Sequence, residues 1–493
     1  VVRAAKLDTD EDGLMDHWEA DGIDMDGDGE SELDLKAMGA DPLRRDIFVE
    51  IDWLNDRDAG VAKWWYNRPA PGVTRRLTRM FADAPVSNPD GSRGITLHVD
   101  AGPGLDETLQ PYSQNMPGDS VFLDGGDIVT KTGNPDDHID VVYLGLPDSQ
   151  NVEGVTTRSL HDIKNDHFGK EDMRAREFAF KYLFLADYAE FYKEAGSGFS
   201  GLPFTSRVES AGEGFLVSVD PPPGGRGHAV KIVSGKGVGQ SRNIDRRSGK
   251  VLVLEHPWET VPDQTSSFVM IAGWGGIAEV EFQYWPSFHS RPGNDALITL
   301  AGYGVNAGHW LANGAVQWRT MAHELGHNFG LRHGGTDHCA FKADRFRSLM
   351  SYSHSKRIRS DAPLYRGECE ARTGVTTTKE DIIGTFPNGR FPVINSYSDG
   401  SDATGHNEWD YLKFNMYRSG YFLGNSFRKH RFRPPPDPFE ITVDEWEPLD
   451  VVPPEILITS PAGDDCDFTV GSGGELQVVA EAWDNIALSH VLI

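Results

Sequence analysis

Three histidines, a glutamate and a glycine stand in an order that suits one divalent ion. Residues 321–335 read Met-Ala-His323-Glu324-Leu-Gly-His327-Asn-Phe-Gly330-Leu-Arg-His333-Gly-Gly. On a helix, His323 and His327 leave the same face, so both imidazoles can bind one metal. Glu324 lies beside them, where its carboxylate can reach a water on the metal rather than the metal itself. Gly330 tolerates the positive φ that turns a chain sharply out of a helix, and His333 can then swing back as a third ligand. Three neutral nitrogens on a tetrahedral zinc leave one position for water, which marks a catalytic rather than a closed structural site. Chance produces a bare H-E-x-x-H in roughly a few per cent of chains this long; requiring Gly330 and His333 as well lowers that to about one in 10⁴.

A second group of residues has cation chemistry of a harder kind. From Asp8 to Asp34 there are thirteen Asp or Glu and no Lys or Arg. Asp8-Thr-Asp10-Glu-Asp12-Gly13-Leu14-Met-Asp16-His-Trp-Glu19 matches the twelve-residue calcium loop in full. Oxygens would come from Asp8, Asp10, Asp12, the Leu14 carbonyl, Asp16 and a bidentate Glu19, with Gly13 permitting the turn. A second loop offers Asp24, Asp26, Asp28, Glu30 and Glu32, but Leu35 stands at its twelfth position and cannot ligate, so Asp34 is the nearest substitute. A solvated acidic tail is the plainer alternative; Leu14, Met15 and Trp18 argue against it because they offer apolar surface for docking. Asp399, Asp402, Glu408 and Asp410 form a further acidic cluster, read here as a solvated loop.

These groups need elements to hold them. Ile47–Trp53 is a β-branched apolar run expected to be a buried strand. A helix is expected over Val73–Ala84, with Leu77, Met80 and Phe81 on one face, and another strand over Gly94–Val99. Phe178–Leu185 fits either period; a strand is preferred. Between Thr205 and Gly273, short apolar runs alternate with Pro- and Gly-rich turns, as in a small all-β insertion. Asp295–Ala301 reads as an edge strand. Arg428–Arg433 and Pro434-Pro435-Pro436 have the texture of a linker.

Composition limits the functions available. The chain has 493 residues, enough for two to four domains. Its net charge of −28 repels nucleic acid and anionic membranes. No run of about 18 apolar residues suggests a membrane span. Three cysteines do not make a disulfide scaffold. The start, Val1-Val2-Arg3, is neither an initiator Met nor a signal peptide, so an exported protein would have lost its signal.

Met350 follows His333 by seventeen residues, within Ser348-Leu349-Met350-Ser351-Tyr352. With this, the sequence resembles the metzincin zinc peptidases, whose zinc motif is followed by a Met-containing turn beneath the metal. The pappalysin-like secreted prokaryotic enzymes look nearest, from the texture around Pro292-Gly293-Asn294-Asp295 and His333-Gly334-Gly335. The resemblance implies an α+β fold: a twisted mixed sheet with an active-site helix and Met-turn, a small all-β insertion, N-terminal calcium loops and a truncated β-sandwich. It implies Zn2+ as catalytic cofactor, Met350 as the Met-turn residue, Glu324 as general base and acid, and Tyr352 as a phenol for zinc or the tetrahedral intermediate. It also implies a disulfide between Cys339 and Cys369, which bracket Met350. The edge strand would align an extended substrate.

The acidic loops resemble those of thrombospondin type 3 and dockerin-like segments, implying structural Ca2+ and a secreted or cell-surface setting. Ile456-Leu457-Ile458 and Leu476–Ala480 resemble the opening strands of bacterial Ig-like domains, and the natural protein is expected to continue. The expected order is calcium loops (1–45), the first part of the catalytic domain (46–204), the β insertion (205–275), the part with the zinc helix (276–425), a Pro-rich linker (426–452) and a partial Ig-like domain (453–493). The implied partner is a protein or peptide substrate, without nucleic acid or membrane span, and a surface or matrix ligand could bind the β parts. The rival is a calcium-dependent adhesion protein on a disused metzincin scaffold; a scaffold has no need of five intact site residues. A gluzincin-like site with a downstream Glu as third ligand is a further alternative that His333 makes unnecessary.

Overall fold

The structure is a computed structural model. It describes residues 8–25, 27–54, 69, 72–101, 122–123, 128–129, 139, 141–144, 157–168, 173–186, 189–191, 204–223, 225, 228–272, 276–281, 291–299, 314–331, 347–351, 394–402, 405–414, 455–460 and 479–483. Its helices are α1 (Asp16–Asp21), α2 (Val73–Ala82), α3 (Leu160–His167), α4 (Met173–Ala179) and α5 (Gly314–Asn328). The strands begin with β1 (Asp46–Leu54), β2 (Thr96–Asp100), β3 (Phe122–Leu123), β4 (Ile128–Val129), β5 (Val141–Leu144), β6 (Thr157–Ser159), β7 (Phe180–Ala186) and β8 (Ala189–Phe191). They continue with β9 (Phe204–Gly212), β10 (Phe215–Ser218), β11 (His228–Ser234), β12 (Ser241–Ser248), β13 (Val251–Leu254) and β14 (Ser267–Ala272). Last come β15 (Gly276–Glu281), β16 (Arg291–Thr299), β17 (Glu455–Ser460) and β18 (Val479–Trp483).

Helices and strands thus mix in an α+β arrangement around a sheet of order β15-β16-β7-β1-β2-β3, with β4 also on β1. All its pairs are parallel except β15 on β16. A parallel strand covered on both faces must be buried throughout, and all nine residues of β1 are. Alternation sends Ile47, Val49, Ile51 and Trp53 into one apolar cluster with α2 and α5, and Phe48 and Leu54 into another on the opposite face. Leu77, Met80 and Phe81 of α2 join the first cluster with Leu325 of α5 and Phe329 just beyond its end. Each such side chain contributes about 1.5–3 kcal/mol on burial. The opposite face also buries charge: Arg176 bonds both Glu50 (2.8 Å) and Asp100 (2.5 Å), Lys164 meets Asp295 at 2.5 Å, and the Tyr182 hydroxyl donates to Asp52 (2.8 Å).

Two expectations change in detail. The segment from Phe178 enters its strand two residues later, after α4 has ended at Ala179. Asp295–Thr299 is not an edge: β16 lies between β15 and β7, and Ala296, Leu297 and Ile298 are fully buried, as an apolar run enclosed on both sides requires. The edge is β15. In the acidic front, Leu14, Ile23, Leu33 and Leu35 are buried against the second face of the sheet and Trp18 meets Phe178 edge-on, so the segment is docked rather than a solvated tail.

Residues 204–272 hold a closed barrel of order β10-β13-β12-β11-β14-β9, with its own core of Val208, Leu216, Ile232, Ile244, Leu252 and Phe268. Its first and last strands are neighbours, Phe204 opposite Met270. β17 and β18 pair antiparallel. Among the described residues no helix is long and apolar enough to cross a membrane.

Candidate functional site

Helix α5 carries His323, Glu324 and His327, and its end is shaped by one glycine. Gly330 adopts φ +84°, its N–H donates to the His327 carbonyl (2.8 Å), and Leu331 N–H donates back to Gly326 (2.8 Å). This is the Schellman closure, which needs a residue at ease in the left-handed region. The turn also positions a ligand: the Leu331 carbonyl accepts from His327 Nδ1 at 2.9 Å. His323 Nδ1 donates in the same way to the Leu349 carbonyl, also at 2.9 Å. A carbonyl can only accept, so both rings carry hydrogen on Nδ1 and the lone pair on Nε2, the tautomer a metal requires. The rings are perpendicular with centroids 4.9 Å apart. Burial holds His327 near pKa 4, neutral at ordinary pH, although its bond to Leu331 opposes this. Two oriented imidazoles of this kind fit a zinc ion.

Glu324 is buried and rests against the backbone of β15. A Cβ on Gly276 would lie 2.4 Å from Glu324 Oε1, so a larger residue there would push the carboxylate aside. Beneath the helix, a Cβ on Gly326 would stand 2.4 Å from Met350 Sδ and 3.1 Å from Tyr397 Cε1. The Tyr397 hydroxyl donates to the Ala322 carbonyl (2.6 Å), and its ring packs on Phe81 and Trp409.

The turn bearing Met350 is tied from behind. Ser348 Oγ accepts from Met350 N–H (2.9 Å) and bonds Glu408 Oε2, which also accepts from Ser398 N–H (2.7 Å). Glu408 is therefore not on a solvated loop: it is fully buried, which pushes its carboxyl up to about 8, with Ser348 and Ser398 pulling the other way. Asp402 accepts from Ser398 Oγ (2.9 Å) and Arg347 N–H (2.8 Å).

The first acidic loop folds around its own carboxylates. Asp8 accepts from the N–H groups of Asp12 (3.1 Å) and Gly13 (3.0 Å), and Gly13 takes φ +90°. Asp16 accepts from Thr9 N–H (2.8 Å) and Thr9 Oγ1 (2.7 Å). Burial, then the carboxylates of Asp8 and Asp46, pushes Asp10 up to about 7; burial, then Asp10 and Asp46, pushes Glu19 up to about 9. Asp12 is raised too, by burial and by Asp10 and Glu19. The second loop repeats the pattern in exposed form, Asp24 accepting from Gly29 N–H (2.8 Å), Asp28 from Glu30 N–H (2.8 Å) and Glu32 from Met25 N–H (2.6 Å). Leu35 is buried, and Asp34 accepts from Ala37 N–H (2.9 Å) in a local turn.

Of the residues singled out in the sequence, His323, Glu324, His327, Gly330 and Met350 come together. His333, Tyr352, Cys339, Cys369 and Asp26 lie outside the described residues, as does the linker at 426–452. Gly276, Tyr397 and Asp46 were missed, while Ser348 was noted only as part of the Met350 motif and Glu408 only in an acidic cluster read as a solvated loop. Gly326 was legible in principle, because a mid-helix glycine costs about 1 kcal/mol and implies a close neighbour.

The reprolysin-type model of metallo-peptidase family M12 matches residues 273–360. That segment holds β15, β16, α5 and Met350, and the match supports a metallopeptidase acting on protein or peptide. Among curated proteins there is no match. The tailspike protein gp49 from Pseudomonas phage LKA1 is similar at 12% identity and TM-score 0.12, over 23% of this chain and 20% of that one. The chain thus spans about a fifth of that protein, and the likeness says nothing of the fold.

Proposed function

We propose that this chain is a secreted zinc-dependent endopeptidase in which His323, His327 and His333 hold the metal and Glu324 is general base and acid. One observation carries the reading: two imidazoles on one helix face, each fixed in the ligating tautomer by a backbone carbonyl, within the segment matched to family M12. Zinc held there would polarise the scissile carbonyl and lower the pKa of a water to about 7. Glu324 takes the proton from the attacking water and returns it to the leaving amine. Tyr352, two residues beyond Met350, supplies a phenol to the developing oxyanion.

Substrate alignment belongs to β15 rather than β16. Among the described strands β15 has one neighbour, and an extended peptide added along its other side would run past Gly276, where Glu324 rests. The acidic loops serve as structural calcium sites, in keeping with an extracellular protein, and the β parts present a surface for a cell-surface or matrix ligand.

The test is Glu324→Gln, with zinc measured by elemental analysis and cleavage followed on a denatured protein. The variant should keep its zinc and lose about 10²- to 10⁴-fold in rate, and o-phenanthroline should abolish cleavage by the parent. Full zinc with undiminished cleavage would remove Glu324 from the role.

A further inference from the structure

We propose that the first acidic loop does not complete its cation site alone: Asp46, the first residue of β1, is a ligand, so that one calcium-type ion joins the N-terminal segment to the central sheet. Two sets of carboxylates converge, Asp8, Asp10 and Asp12 in one and Asp12, Glu19 and Asp46 in the other, with ligand oxygens within 4.8 Å of one another in each set. Asp12 belongs to both, which brings Asp46 within reach of the loop's own ligands.

Two of the carboxylates in these sets lack protein partners altogether. Asp10 is 1% exposed and Glu19 is 0% exposed, yet neither oxygen of either carboxylate has a hydrogen-bond partner. A buried unpaired carboxylate is costly, and a cluster of them is stable only when a cation or protons neutralise it. Around them the other carboxylates are already arranged by N–H donors, as a preformed site requires. Asp16, the ninth residue of the loop, belongs to neither converging set, and both of its oxygens accept from Thr9. Asp46 takes that place. All the donors are oxygen, a set that selects a hard ion of calcium type over zinc or copper.

The assignment gives the ion a structural reach beyond the loop. Asp46 N–H donates to Asp12 (2.7 Å), while the Asp46 carboxylate accepts from Asp41 N–H (2.9 Å) and bonds His98 Nε2 of β2 (2.7 Å). Charge neutralised there secures the point where β1 and β2 begin. Among the described residues the second loop has no counterpart of Asp46, and Leu35 rather than a carboxylate stands at its twelfth position, so it should bind more weakly.

The test is calcium titration of the full chain, freed of calcium on a chelating resin and resupplied with zinc. Binding is read by calorimetry and by terbium luminescence sensitised through Trp18, and stability by thermal melting in calcium and without it. The parent should bind one tight equivalent. Asp46→Asn should weaken that equivalent at least tenfold and remove most of the calcium-induced rise in melting temperature, while Glu255→Gln, at an exposed position of the barrel, leaves both unchanged. Asp10→Asn guards against a simple folding defect, because the two conditions should move it in opposite directions. Without calcium it should melt higher than the parent, repulsion being relieved; with calcium it should melt lower. Parent-like binding by Asp46→Asn, or a destabilised Asp10→Asn in both conditions, would overturn the proposal. None of these readouts involves peptide cleavage, so they stand or fall apart from the peptidase reading.

Discussion

At the scale of single residues, chemistry was legible where it is written contiguously and hidden where it is assembled from distant positions. His323, Glu324, His327 and Gly330 lie within eight positions, and helix periodicity brings them together. Nothing local marks Glu408 as the support of Ser348, sixty positions earlier, because only tertiary folding removes it from water. That burial has a measurable sign. With the folded carboxyl near 8 and an ordinary value of 4.5, the folded protein holds a proton that the unfolded chain has released. The contribution is complete below about 4.5 and is lost as pH rises through 8. At about 1.4 kcal/mol per pH unit, it is bounded at roughly 5 kcal/mol. Glu408→Gln cannot titrate, so its melting temperature should fall less than the parent's between pH 5.5 and 8.5. Asp402 and Tyr397, the titratable neighbours, are common to both proteins. Parallel pH profiles would show that Glu408 does not carry the effect.

At the scale of elements, strand and helix placement followed from periodicity, whereas order in the sheet did not. β1 and α2 emerge near their expected limits because apolar spacing alone specifies them. The edge was assigned to the wrong strand because a fully buried apolar run such as Ala296–Ile298 gives no hint of its neighbours. The contact between α5 and the turn of Met350 depends on Gly326, and two opposing effects can be weighed there. Alanine would gain about 1 kcal/mol in helix propensity. It would also force a Cβ to 2.4 Å from a fully buried sulfur, and overpacking of that sort costs about 1–3 kcal/mol. The clash should win. Gly326→Ala should melt lower by about 1 kcal/mol at the midpoint and bind zinc less tightly, since the Leu349 carbonyl that orients His323 belongs to the displaced turn. A stabilised variant with parent zinc affinity would mean that the sulfur moves aside freely.

At the scale of the whole molecule, the texture of residues 205–275 marked an all-β piece, though not its closure into a barrel, because strand partners are set by turns and packing rather than by composition. Its neighbouring first and last strands make it separable: replacing residues 204–272 with a short Gly/Ser linker should leave the central sheet folded and cleavage of a short peptide within a few-fold of the parent. Loop-closure entropy changes by only about 0.6 kcal/mol per doubling of length, so collapse of the remainder would reveal contacts that hold the barrel in the fold. The acidic front offers the opposite case. Leu14, Ile23, Leu33 and Leu35 clad the face of the sheet that contains Phe48, Phe180 and Phe184. A maturation protease cutting anywhere between Asp8 and Ala40 would peel this cladding away and lay greasy strands open to self-association. Loss of the segment should therefore show itself as newly exposed apolar surface and self-association of the trimmed chain.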